Sequence, residues 1–176
     1  LGEIRAAEEH LGALRLRAEA AERERERIEQ TTVDLRNVAH LQEFGLYDYE
    51  HPAESSVAIS TELEATRSSI KAAVQSGQAT SAVANFTFNN STAQGQKFVR
   101  DMSKLLLRAY NAEAENCIKT VRAGNLPAAQ KRLTTVREQI QRLGSMISMQ
   151  ITDYYHWHRL KELELASRHL QALQVE

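Results

Sequence analysis

Apolar side chains recur every three or four residues along most of the chain, the spacing of helices with one buried face. The first such stretch runs from about Glu3 to Gln42 without a proline and is dominated by Ala, Leu, Glu and Arg, all good helix formers. A heptad frame fits it. One set of seam positions is Ile4, Leu11, Ala18, Arg25, Thr32 and Ala39; the other is Ala7, Leu14, Ala21, Ile28, Leu35 and Gln42. The pattern predicts a coiled-coil arm whose oligomer seam is carried by Ile4, Leu11, Leu14, Ile28 and Leu35. Arg25 and Thr32 interrupt that seam and weaken its middle. Glu22/Arg25 and Glu24/Arg27 stand three apart and should pair along the helix.

Phe44-Gly45-Leu46-Tyr47 ends the arm, with Gly45 suited to a left-handed helix stop. Tyr47, Tyr49 and His51-Pro52 form an aromatic connector that would pin the arm to the globular part. A second helix is expected over residues 56–76, with Ser55 or Ser56 as cap and Val57, Ile59 or Ser60, Leu63, Ile70 and Val74 in its stripe. Residues 79–90 read differently. Phe86 and Phe88 alternate with Asn85 and Thr87 before an Asn89-Asn90-Ser91 turn, as in one short strand pairing with another chain, or in coil. Three more helices come after it. The first spans about 92–123, capped by Ser91 or Thr92. The second starts near Pro127, with the row Leu126, Ala129, Leu133, Val136, Ile140, Leu143 and Ile147. The last is capped by Thr152 and carries Trp157, Leu160, Leu163, Ala166, Leu170 and Leu173. Short connectors make these three antiparallel neighbours.

Composition supports helices: 176 residues hold only 7 Gly and 2 Pro, too few breakers for a many-stranded fold. The single Cys117 excludes an internal disulfide and a thiolate zinc cluster. No apolar run approaches the ~20 residues of a membrane span. There is no initiator Met, so the chain reads as an internal piece of a longer protein. The net charge of −1 conceals a split, with −8 over residues 1–66 and +8 over residues 67–142. Two parts with different roles, or parts that attract one another, would both account for it.

Lys97, Arg100, Lys104 and Arg108 step by three and four along one helix face. Such a basic row can meet phosphates or a partner, but the favoured reading is an ordinary solvated face, or one that docks the acidic arm. Glu113 falls within the face Val99, Met102, Leu106, Tyr110, Cys117 and Val121. A carboxylate there needs a partner, so Asn111 and Glu113 are expected in a structural polar network. His156 and His158 are two apart on a helix and point away from each other, so one metal ion cannot take both; Trp157 between them is expected in the core. No glycine-rich phosphate loop, HExxH or nucleophile elbow occurs. No catalytic residue, metal or cofactor is assigned.

The stretch Lys104-Leu105-Leu106-Leu107-Arg108-Ala109-Tyr110-Asn111-Ala112-Glu113 resembles the K-L-x-L-R-A-[FY]-N-x-E signature of a bacterial and phage helical domain of unknown function. In that family the domain lies between a coiled coil and a GIY-YIG-type nuclease domain. Phe44-Gly45-Leu46-Tyr47, the Phe86–Ser91 stretch with Gly95, and Ile151 to Leu165 are similar to further family segments. Phe86 stands where the family usually has Trp, and Ala114 where it often has Cys. The resemblance implies an accessory or sensing module of a phage-defence nuclease whose cutting domain is outside this chain.

These readings combine into an all-α fold: a coiled-coil arm (1–43), an aromatic hinge (44–55) and a helical bundle (56–176) with at most one short strand. The expected function is a non-catalytic binding and assembly module that oligomerises and positions or regulates an attached nuclease. The alternative is a DNA-binding module that delivers the nuclease. Expected partners are a second copy, nucleic acid or a phage protein. The expected location is the cytoplasm, with any membrane tether outside this chain.

Overall fold

In a computed structural model describing residues 2–175, the first helix, α1 (Gly2–Glu43), is continuous. Its residues before Leu41 are all exposed, those of the heptad seam included. Arg25 lies 3.4 Å from Glu22 and 3.6 Å from Glu29, and Arg27 lies 2.6 Å from Glu24, so the expected pairs form. Two compact units result, Leu1–Ala39 and His40–Glu176. Leu1 and Glu176, the outer bounds of the expected domains, lie outside the described residues.

The last turn of α1 belongs to the second unit. Gly45 (φ +75°) stops the helix: its N–H donates to Gln42 O, and that of Leu46 donates to Leu41 O at 3.1 Å. A side chain at Gly45 would be strained by this φ, and its Cβ would sit 2.9 Å from Arg108 Cα. The connector then turns through His51–Ser56 into α2 (Ser60–Gln75). This helix starts four residues later than expected, because residues 53–59 form turns and no Ser side chain caps it. Val57 is 93% exposed, and Ile59, Leu63, Ile70 and Val74 carry the buried stripe.

The β-like segment finds its partner inside the chain. The two-residue strand β1 (Thr80–Ser81) pairs antiparallel with β2 (Gln150–Ile151), Thr80 opposite Ile151. Phe86 and Phe88 are not strand residues. They stack on Phe98 at 5.6 and 5.7 Å between ring centroids, and Asn89 and Asn90, both at positive φ, make the tight turn between Phe88 and Ser91.

Ser91 caps α3 (Thr92–Thr120) by accepting from Gln94 N. The helices α4 (Leu126–Leu143) and α5 (Asp153–Val175) complete the order. Thr152 caps α5: its Oγ1 accepts from Tyr155 N at 3.2 Å. α4 stops before Gly144, where a Cβ would lie 2.8 Å from Met149 Cβ and 2.9 Å from Leu106 Cδ1. Leu143 is therefore exposed and outside the expected row, while Ile147 rejoins the core from a 3-10 turn (Ser145–Ile147). α5 packs against α2, α3 and α4. Leu107, Tyr110, Ile118, Leu133, Ile140, Tyr155 and Leu163 form the centre, and Leu41 and Leu46 close it from the end of α1.

Candidate functional site

α5 buries Leu163 and Ala166 of its expected row and packs Leu160 and Leu170 against the core, but the buried face extends to polar residues the row omitted. Tyr155, Arg159, Glu162, Leu163 and Ala166 point inward, while Trp157 is 59% exposed and Leu173 is also exposed. Trp157 is thus a surface residue; its ring meets His158 edge-on at 4.8 Å. His156 is buried and His158 partly exposed, so the two histidines diverge. Among the described residues no group of three His, Cys, Asp or Glu could hold a metal ion, and no helix is long and apolar enough to cross a membrane.

The inward face carries a buried ionic centre. Arg159 and Glu162 are each 1% exposed. Arg159 Nη1 donates to Glu162 Oε2 at 2.6 Å. The other carboxylate oxygen accepts from Tyr49 O–H at 2.6 Å and from Arg67 Nε at 3.2 Å. Arg67 also donates to Tyr49 O at 2.7 Å and lies over the Tyr49 ring. Burial alone would push the Glu162 carboxyl up, but Arg159, the Tyr49 hydroxyl and Arg67 outweigh it and hold it low. Burial beside this carboxylate pushes the Tyr49 hydroxyl far up, so it stays a donor.

His51 completes the connector's side. Ala53 N–H donates to His51 Nδ1, which places the ring proton on Nε2, and Nε2 donates to Glu162 O at 3.0 Å. Burial lowers the His51 pKa and keeps the ring neutral. Asn111 joins the other side: its amide donates to Phe44 O at 2.9 Å, and its carbonyl oxygen accepts from Tyr155 O–H at 2.6 Å. The end of α1 and the connector are thereby tied to α2, α3 and α5 through one set of buried polar groups. A second chain of bonds lies alongside, where Tyr110 O–H meets His156 Nδ1 at 2.7 Å and Thr134 Oγ1 lies 3.3 Å from His156 Nε2.

The residues singled out in the sequence divide between structural positions. Asn111 is buried in the network just described. Glu113 is not. It sits half-buried at the margin of its helix face, where Arg132 Nη2 of α4 reaches both carboxylate oxygens at 3.0 Å. The expected face is buried at Leu106, Tyr110, Cys117 and Val121, and Leu107, Ala114 and Ile118 join it and shift its centre away from Glu113.

The basic row is also divided. Lys97 pairs with Asp101 one turn along, and Arg100 is exposed. Lys104 bonds Glu43 at 2.8 Å and lies over the Phe44 ring. Arg108 Nη1 donates to Gln42 O at 3.0 Å and Glu43 O at 3.1 Å, positive charge at the carbonyl end of α1 where the helix dipole favours it. Among the described residues, Arg67, Lys71, Lys119, Arg132 and Arg137 are likewise in ion pairs with acidic groups of the chain. Arg67, Lys71, Lys104 and Arg137 meet acidic groups outside residues 67–142, so half of that segment's +8 balance is matched within the chain. Beside this row an open groove of about 580 Å³ is lined by Tyr47, Leu105, Ala109, Ala112 and Lys119.

The sequence reading missed Tyr49, Arg67, Arg159 and Glu162 as one centre. One signal was available: Arg159 and Glu162, three apart, are bracketed by Tyr155, Leu163 and Ala166 at helical spacing. The row expected for this helix contained no charged residue.

Among protein families, the SNIPE associated domain matches the chain over residues 56–174. No curated protein and no solved structure matches it.

Proposed function

The chain belongs to the SNIPE associated domain family, and we propose that it works as a non-catalytic binding and assembly module of a nuclease-bearing protein. In this reading the chain oligomerises through α1 and positions or regulates the attached nuclease. A component of an invading phage is the partner to which the module responds. One observation carries the reading: α1 offers a long row of exposed Ile and Leu side chains at heptad spacing.

Direct DNA binding is the rival. It has less support, because Lys104 and Arg108 are engaged with the end of α1 and Lys97 with Asp101. A phosphate-binding row would give a steep fall of DNA affinity with salt.

The test is nucleolytic activity of the intact protein that carries this chain, wild type against Leu11→Asp with Leu14→Asp. The reading expects activity, or its response to phage infection, to be lost while the bundle remains folded. Unchanged activity and response would overturn it.

A further inference from the structure

We infer that α1 pairs with α1 of a second copy in the antiparallel sense, in a register that sets Ile4 against Leu35, Leu11 against Ile28, and Ala18 against Ala21 across the two-fold axis. The inference rests on the proposed role of α1 as an oligomerisation arm and adds its orientation. Its basis is an unbroken helix from Gly2 to Glu43 on which Ile4, Leu11, Leu14, Ile28 and Leu35 are all exposed.

Both orientations can bury these side chains, and charge decides between them. In a parallel pair, equivalent seam residues face each other, so Arg25 would meet Arg25 in the core. The flanking positions would bring Glu3 against Glu8 and Glu24 against Glu29 of the second copy, with only Arg17 against Glu22 favourable. The antiparallel register removes the Arg25 clash by placing Arg25 over Leu14. There the aliphatic stem covers the leucine, while the guanidinium keeps its own-helix partners Glu22 and Glu29. Its flanking positions bring Arg15 to Glu22 and Arg17 to Glu24, against one repulsive pair, Glu8 with Glu29.

Size agrees with charge. The small residues Ala18 and Ala21 fall together at the two-fold axis and let the helices approach, while the large side chains at either end meet one another. The two Glu43 residues would stand about 70 Å apart along the axis at 1.5 Å per residue.

The test uses the full chain with Cys117, the lone and buried cysteine, replaced by Ala. Ile4→Cys and Leu35→Cys chains are prepared separately and oxidised mildly, alone and as an equal mixture. The antiparallel register expects a disulfide-linked pair from the mixture, at least tenfold above either chain alone. Homodimers from each single variant would mean a parallel pair and overturn the inference while leaving the arm an oligomerisation device. A dimer by light scattering without either cross-link would overturn the register. A chain that scatters as a monomer of 19.9 kDa at every concentration would overturn the oligomer reading along with it.

Discussion

Arg159 and Glu162 lie one turn apart on α5 and form a 2.6 Å ion pair with both side chains almost wholly out of water. Such a pair is costly to bury, and its geometry must be completed by further hydrogen bonds. Tyr49 and Arg67 supply them. Tyr49 comes from the connector and Arg67 from α2, so the pair can be satisfied only when the connector is in place.

Glu162→Gln should therefore destabilise the protein by about 3–5 kcal/mol, because it leaves Arg159 buried without its counter-charge. Glu113→Ala should cost less than about 1 kcal/mol, since Glu113 is only half-buried and its partner Arg132 is exposed. Urea denaturation of the two variants checks the contrast. Equal losses would contradict the assignment of the polar centre to α5.

Truncation should obey the same logic. A chain beginning at residue 40 keeps Leu41, Leu46, Tyr49 and His51, all of which pack or bond within the second unit. A chain beginning at residue 56 loses them and leaves Glu162 without the Tyr49 and His51 donors. Circular dichroism with thermal melting should show the first cooperative and the second strongly weakened or molten.

Gly95→Ala should cost about 1–3 kcal/mol by overpacking. An added Cβ would overlap the carbonyl of Phe86, where the Phe86–Phe88 segment crosses the start of α3. The same substitution at Gly12, with open space around it, should be neutral or slightly stabilising through helix propensity. Denaturation midpoints decide.

Acid should weaken the fold in two stages. Burial lowers the His156 pKa to about 4 from an ordinary 6.5. The folded state therefore binds this proton less readily than the unfolded chain. Its stabilising effect is complete above pH 6.5 and is lost as pH falls from 6.5 towards 4, by up to about 3 kcal/mol. Glu162, held below the ordinary carboxylate value, stabilises above that value and loses its effect as pH falls through its lower folded pKa. Stability against pH, measured with His156→Gln beside wild type, should show a shallower slope between pH 6.5 and 4 in the variant, the remainder coming from His51, whose pKa burial also lowers.

The helices were legible because their spacing is set by local chemistry: the Ser91 cap, the Gly45 stop and the Thr152 cap all act within one turn of their helix end. The partner of Thr80–Ser81 was not, because Gln150–Ile151 lies far along the chain. The edge of the buried face of α5 was misread for a related reason, although Leu163 and Ala166 of its expected row are buried. Trp157 was assigned inward on hydrophobicity, yet the inward face is fixed by Arg159 and Glu162, whose partners Tyr49 and Arg67 come from distant segments. Glu113 failed in the opposite direction: an apolar stripe encloses it in sequence, but Arg132 holds it at the margin of that stripe. Single-helix periodicity shows which residues share a face, and only the neighbouring elements determine how deep that face is buried.

Oligomerisation through α1 is the central claim, and light scattering of the intact chain over a range of concentrations tests it most directly. The account predicts a mass near twice 19.9 kDa, falling to that of one chain when Leu11 and Leu14, both exposed on α1, are changed to Asp. A single-chain mass at every concentration, or a dimer that survives both substitutions, would contradict it.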